Sequence, residues 1–150
     1  MKSDKPMRPG GCSWRKITSR SGPFTARHAL IAPDGHVKSC VPGVTGAAAV
    51  IVINEAMGAR FAQLLVTFES GGRAEFAPGE IETAGYIETG GATVSIGAEK
   101  AKCGAGGFFF APAGAAWSIR APKAGTRVTL FQKKFQPLAG TAAPRAILGD

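Results

Sequence analysis

Few side chains in this sequence could do chemistry, and they are scattered along it. His28 and His36 lie on either side of a Pro-Asp-Gly turn and could meet. Two imidazoles without an acidic partner make a poor metal site, so a local hydrogen-bonding or surface role is the other interpretation. Lys100 and Lys102 flank Cys103 and could activate its thiol; otherwise it is an ordinary reduced cysteine. No nucleophile–base pair or phosphate-binding loop stands out, so we predict no catalytic residue.

Two windows, residues 71–90 and 106–121, have the spacing of the paired cupin motifs. In cupins these motifs supply histidines and a glutamate to a divalent metal ion. Here the framing glycines and the proline are kept, whereas the four ligand positions hold Ala77, Gly79, Thr83 and Trp117. None of these offers an imidazole or a carboxylate. The resemblance implies a cupin barrel, and the substitutions predict that its metal centre is lost.

Composition supports a single all-β domain. The chain has 150 residues, 45% of them hydrophobic, which suits one compact core. Its 21 glycines and 10 prolines separate short runs rich in Val, Ile and Phe. Residues 47–54 (AAAVIVIN) are typical of a strand buried on both faces. We therefore predict a single cupin barrel of the double-stranded β-helix (jelly-roll) type.

The domain prediction has three parts. Residues 1–27 are rich in Pro and Gly and indicate an extended N-terminal arm. Residues 28–137 form the cupin domain. Residues 138–150 lose the alternation of apolar side chains and are predicted as a C-terminal tail, or as a linker to a missing second cupin.

Charge and cysteine content bound the partners. The net charge of +8 is concentrated at the termini, with eight basic and two acidic residues in 1–40. Without interleaved aromatic residues these charges favour a solvated surface or an oligomer contact over nucleic-acid binding. No apolar run is long enough for a membrane span, and the polar start lacks the apolar core of a secretory signal. Three cysteines without C-x-x-C spacing argue against a disulfide framework, so we expect a cytoplasmic protein.

Five short strings extend the resemblance beyond the cupin motifs. They are 28–37 (HALIAPDGHV), 56–63 (AMGARFAQ), 65–67 (LVT), Pro78-Gly79 and 131–135 (FQKKF). In order and spacing they resemble the (S)-ureidoglycine aminohydrolase family, over nearly all of the foldable part of the chain. That family consists of bicupins, which hydrolyse (S)-ureidoglycine to (S)-ureidoglycolate and ammonia in the breakdown of allantoin and purines.

The resemblance implies a division of labour between two cupins. It falls on the N-terminal cupin of the pair, which in the family usually lacks metal, whereas Mn²⁺ and the catalytic residues belong to the second cupin. We therefore expect no cofactor in this chain, Mn²⁺ only in a second cupin, and no catalysis by the chain alone. The expected partners are further copies of the chain or a second cupin. The alternative is a stand-alone metal-free cupin that binds a small polar metabolite or acts as a scaffold.

Four residues are candidates for lining a pocket: Gln63, Glu75, Glu82 and Trp117. Together with Glu80, the two glutamates flank the lost ligand positions of the first motif and could mimic a carboxylate site, but buried unpaired carboxylates are costly and solvated rim positions are the other interpretation. Trp117 stands at the lost histidine position. It either fills the volume that a metal ion and its water would occupy or forms a stacking platform for a planar ligand such as a ureido group.

Overall fold

The computed structural model describes residues 31–150, and the predicted N-terminal arm lies outside them. Ten strands form one continuous antiparallel arrangement. Their bounds are β1 Lys38–Ser39, β2 Val44–Ile53, β3 Ala62–Phe76, β4 Ile81–Thr89, β5 Gly91–Ile96, β6 Glu99–Gly104, β7 Phe108–Ala111, β8 Trp117–Arg120, β9 Thr126–Lys134 and β10 Ile147–Gly149. Short 3₁₀ turns occur at Pro33–Gly35 and Glu55–Met57. The prediction of an all-β barrel is confirmed.

The barrel has two sheets, and strand β3 belongs to both. Its first half pairs with β9, and the neighbouring strands continue through β4 and β7 to β10. Its second half pairs with β8, which leads to β5 and β6. The strand bends between these halves at Gly71, whose φ of 74° lies in the left-handed region that favours glycine. Strand β2 pairs along both halves and so reinforces the bend.

The core lies between the two sheets and is built by strict alternation. Even-numbered residues of β3, such as Leu64, Val66 and Phe68, point inward and are at most 3% exposed. Ile119 of β8 and Leu130 of β9, on the two strands that pair with β3, also point inward and are fully buried. Period-two alternation with one apolar face is what a closed β-structure requires, because each strand must supply one face to the interior.

Backbone hydrogen bonds between β4 and the turn that connects β6 to β7 close the barrel. The amide of Gly106 donates to the carbonyl of Ile87 at 2.9 Å, and the amide of Ile87 donates to the carbonyl of Gly107 at 2.9 Å. The backbone amide of Gly104 also donates to the carboxylate of Asp150 at 2.7 Å. These bonds tie β6 to β4 and to the end of β10, so the two sheets meet along this seam.

Two expectations about single strands need correction. Residues 47–54 do form most of β2, but only Ala49 in that strand is fully buried, so burial on both faces is wrong. The reason is position: β2 has only the two-residue β1 as its outer neighbour, and its outward side chains stay partly exposed. Within the segment predicted as a tail, Ile147–Gly149 form β10 and pair with β7.

The cysteines also differ from expectation. Cys40 is disulfide-bonded, whereas the sequence predicted only reduced cysteines. Bridging depends on the distance between two Cα atoms in the folded chain, which residue spacing does not reveal. Among residues 31–150, no helix is long and apolar enough to cross a membrane.

Candidate functional site

The former ligand positions lie at one end of the barrel. Ala77 and Gly79 are exposed in the connection between β3 and β4. Thr83 on β4 and Trp117 on β8 point inward, at 0% and 5% exposure. The turns of both cupin motifs are intact, so the sequence retains the frame and changes only the side chains that would face a metal ion.

An aromatic stack fills this end of the barrel. The rings of Trp117 and Phe76 are stacked, with centroids 4.4 Å apart and an angle of 14° between their planes. Phe109 of β7 also contacts Trp117, at a centroid distance of 5.4 Å and a tilt of 43°. Trp117 therefore packs against two aromatic rings and is only 5% exposed, which favours its interpretation as a filler of the former metal volume over that of an open stacking platform. The role of Phe76 escaped sequence reasoning, although its position inside the first motif, directly before Ala77, could have suggested it.

The polar groups next to this stack cannot bind a metal ion. The amide nitrogen of Gln132 on β9 donates to the hydroxyl of Thr83 at 3.5 Å, a long and weak hydrogen bond. No group of three His, Cys, Asp or Glu side chains comes together anywhere in residues 31–150. A single hydroxyl is not the donor set of imidazoles and carboxylates that divalent metal ions need, so these residues do not fit the manganese of the resemblance.

The four candidate pocket residues fall in different places. Glu75 and Trp117 line one cavity of about 370 Å³ at the edge of β3, β5 and β8, together with Phe76, Ala77, Ser95, Gly97, Ala116 and Ser118. Glu82 lines a second cavity of about 290 Å³ on the outside of the other sheet, with Phe61, Ala84, Phe110, Phe131 and Lys133. Gln63 pairs with Phe131 on that outer surface and lines neither cavity. The structure thus brings together only Glu75 and Trp117.

The first cavity has a polar wall. Ser118 lies between Glu75 and Ser95 in one row across β3, β8 and β5, so two hydroxyls and a carboxylate face the same side of the sheet. The guanidinium of Arg73 lies 3.7 Å from the carboxylate of Glu75, and both side chains are half exposed. This arrangement can accept and donate hydrogen bonds to a small polar molecule, but it contains no group activated for catalysis.

Two further glutamates, Glu80 and Glu88, form surface ion pairs. Lys134 lies 2.7 Å from Glu80; its hydrogen bond, and then its charge, lower the pKa of the Glu80 carboxyl, while the pKa of Lys134 is raised. Glu88 accepts a hydrogen bond from the hydroxyl of Thr129 and pairs with Arg127 at 3.2 Å. Both glutamates are therefore paired with basic side chains; of the two, only Glu80 was among the glutamates considered from the sequence.

Cys103 and the histidines complete the set of chemical candidates. Cys103 is 2% exposed inside β6, and burial, followed by the charge of Asp150, raises the pKa of its thiol. Lys100 and Lys102 alternate with it on β6 and point to the opposite, exposed side of the sheet, so they do not activate it. His36 follows the first 3₁₀ turn and is partly exposed, and His28 lies outside the described residues.

Comparison with known proteins identifies the family. The chain is 31% identical, over 117 residues, to (S)-ureidoglycine aminohydrolase of Escherichia coli strain K12. This chain is a cupin of the (S)-ureidoglycine aminohydrolase family. The match covers 76% of the chain but 45% of that relative, so the chain spans about half the length of the enzyme it resembles. A scan against protein-family models gave no match.

Solved structures agree on the fold of this family member. The crystal structure of protein Ylba from E. coli superimposes with a TM-score of 0.79 and 27% identity, covering 89% of this chain and 56% of that one. KdgF from Halomonas sp. has a TM-score of 0.59 and 19% identity, and the match covers 70% of this chain and 92% of that one. The second likeness concerns the fold alone. The matched barrel thus makes up nearly all of the KdgF chain and about half of the Ylba chain.

Proposed function

We propose that this chain is a non-catalytic cupin that acts as the metal-free half of a two-cupin hydrolase for (S)-ureidoglycine. The observation that carries the proposal is the stack of Trp117 on Phe76, because Trp117 stands at one of the four lost ligand positions and is buried there. The match to about half of the E. coli enzyme supports it, because the relative has a further segment long enough for a second barrel. We assign the present chain to the N-terminal half, on the strength of the motif resemblance.

In this proposal the chemistry belongs to the second cupin. Release of ammonia by hydrolysis needs an activated water molecule or a general acid–base group near the leaving amine. The described residues supply neither. Cys103 is buried and the pKa of its thiol is raised, and Glu80 and Glu88 form ion pairs at the surface. Without such groups the reaction would be at least about a thousandfold slower, at 1.36 kcal/mol of activation free energy per tenfold change in rate. The present barrel would contribute binding surface and stability to its partner.

An ammonia-release assay on freshly generated (S)-ureidoglycine tests this assignment. Its arms are the chain alone, the chain with Mn²⁺, and the chain mixed with the separately expressed part of the E. coli relative that lies outside the match. That part alone is the control. We expect no turnover above buffer in the first two arms and turnover above the control in the mixture. Turnover by the chain alone would contradict the proposal.

A second candidate function is binding of a small polar metabolite by a stand-alone cupin. The observation that favours it is the cavity of about 370 Å³ with Glu75, Ser95 and Ser118 on its wall. Adjacent acceptors and hydroxyls suit the N–H and C=O groups of a ureido compound. Titration calorimetry with N-carbamoylglycine would measure this binding, with Glu75→Gln expected to weaken it and Glu82→Gln, in the other cavity, to leave it unchanged. Absence of heat at millimolar ligand would exclude this candidate.

The cellular location of the protein has two candidates. We infer a cytoplasmic protein from the sequence. The disulfide at Cys40 is an observation against this inference, because disulfides are typical of oxidising compartments. Fractionation of the source cell would distinguish the two locations.

A further inference from the structure

One outer surface of the barrel is unusually apolar. We call it the outer aromatic face, and its residues come from four adjacent strands: Ala84 and Tyr86 of β4, Phe108 and Phe110 of β7, Phe131 of β9 and Ile147 of β10. Tyr86, Phe108, Phe131 and Ile147 are between 41% and 50% exposed. Within residues 31–150, Phe61 packs beside Phe131 with ring centroids 6.2 Å apart, but all four side chains stay accessible. Clusters of large exposed apolar side chains on a soluble domain usually mark an interaction site.

The strand register makes this face continuous. One row across the strands reads Phe131, Ala84, Phe110 and Ile147, and the next reads Thr129, Tyr86, Phe108 and Gly149. The small residues leave depressions between the rings: Ala84 forms the floor of the cavity of about 290 Å³ between Phe110 and Phe131. A flat sheet surface with rings beside depressions suits packing against another sheet surface of the same kind.

Charges on the rim are balanced in sign. On the same sheet surface, Glu82 and Lys133 face each other across β4 and β9, and Glu88 pairs with Arg127. The outer surface of the opposite sheet carries four basic residues against one glutamate: Arg73, Lys100, Lys102, Arg120 and Glu75. Two copies of a chain with net charge +8 would repel through that second surface, but the balanced rim lets them approach through the outer aromatic face.

We propose that the outer aromatic face binds a second copy of this chain, forming a two-fold symmetric dimer. Contacts across a two-fold axis are reciprocal. If the axis runs along the strands between β4 and β9, Glu82 of one copy lies against Lys133 of the other, twice, because these residues are cross-strand partners. The rim thus complements itself. The dimer would also contain two barrels. The relatives are long enough for two barrels in one chain, since this chain covers 45% of one relative and 56% of another. This proposal does not depend on the hydrolase assignment.

The size of the face sets the expected affinity. An axis between β4 and β9 places β7 and β10 of one copy over β3 and β2 of the other, so the contact spans six strands. Six strands about 4.8 Å apart and five residues of about 3.3 Å give a footprint of roughly 500 Å² per copy. A standard stable interface buries about 800 Å² per partner. We therefore expect a dimer that dissociates at micromolar concentration.

Sedimentation velocity on the full chain, from about 1 to 200 µM, tests the proposal. We expect a monomer–dimer equilibrium that Phe131→Lys weakens at least about tenfold, because it places an unpaired charge in an apolar contact. Val37→Lys is the matched control, since Val37 has the same 41% exposure but lies outside this face. Circular dichroism confirms that each variant is folded.

Charge reversal tests the geometry of the contact. Glu82→Lys should weaken the dimer by placing like charges together, and the double reversal Glu82→Lys with Lys133→Glu should restore it. A protein that stays monomeric at all concentrations would overturn the proposal, as would a dimer that Phe131→Lys leaves unchanged. Protection of Tyr86 from iodination in a monomer would show that residues 1–30 cover the face, which also overturns it.

Discussion

Replacing Trp117 by alanine tests whether the lost metal site has become part of the hydrophobic core. The side chain is 5% exposed and contacts two aromatic rings, so the substitution removes a nearly completely buried side chain. Substitutions of this kind cost about 3–5 kcal/mol, through lost transfer free energy and the cavity that remains. Domains of ordinary stability have about 5–15 kcal/mol in total, so the variant should be folded but much less stable.

Chemical denaturation followed by circular dichroism measures the free energy of unfolding. We expect a lower midpoint with an unchanged slope, and a fall in melting temperature of about 6–20 °C at about 2–4 °C per kcal/mol. Leu138→Ala is the control, because that side chain is 72% exposed and should change stability by less than about 0.5 kcal/mol. A double-mutant cycle with Phe76→Ala should give a coupling of about 0.5–1.5 kcal/mol from the stacked rings. A loss below about 1 kcal/mol for Trp117→Ala would refute the filler interpretation.

Three other outcomes follow from the barrel interior. Gly85→Ala should destabilise by about 1–3 kcal/mol in thermal unfolding, because its new Cβ would lie 2.0 Å from the ring of Phe109, whereas Gly79→Ala in open space should be nearly neutral. Native Cys103 should resist a thiol reagent until the chain unfolds. Because its folded pKa is raised above the ordinary 9.0, the unfolded state loses its proton first, so stability should fall as pH rises above 9.0, and Cys103→Ala should remove that part of the fall. Elemental analysis of purified, tag-free protein should find no stoichiometric Mn²⁺ or Zn²⁺; stoichiometric metal lost on Glu75→Gln would contradict the loss of the site.

Local sequence pattern was sufficient for most of the barrel. Apolar runs and glycine or proline turns predicted an all-β barrel, and residues 47–54 predicted most of β2, because strand period and turn chemistry are local properties. Strand β6 was not predicted, since its residues Glu99–Gly104 include two lysines that reduce its apolar signal. It forms because a tight turn at Gly97, with φ of 56°, folds it back on β5. Strand β10 depends on pairing with a strand far away in the sequence.

The candidate site was only partly predictable. The loss of the metal ligands could be read from the motif positions, but which side chains share a cavity depends on strand order. Glu75 and Glu82 are close in sequence, yet one lies on each sheet, because β3 and β4 have different neighbours. The outer aromatic face could not be predicted from the sequence either. Its rows combine residues far apart in the chain, from Ala84 to Ile147, which become neighbours only through strand pairing.

The shared strand β3 has a consequence for how this protein folds and opens. Because one strand of 15 residues belongs to both sheets, neither sheet can separate from the other without losing a central neighbour. Local opening should therefore be limited to β1, β10 and the connecting turns, and the amides of Leu64, Val66 and Phe68 should exchange with solvent only when the whole barrel unfolds. Most of its partners are distant in sequence, so the chain must close long loops before β3 is paired, and folding should take milliseconds to seconds.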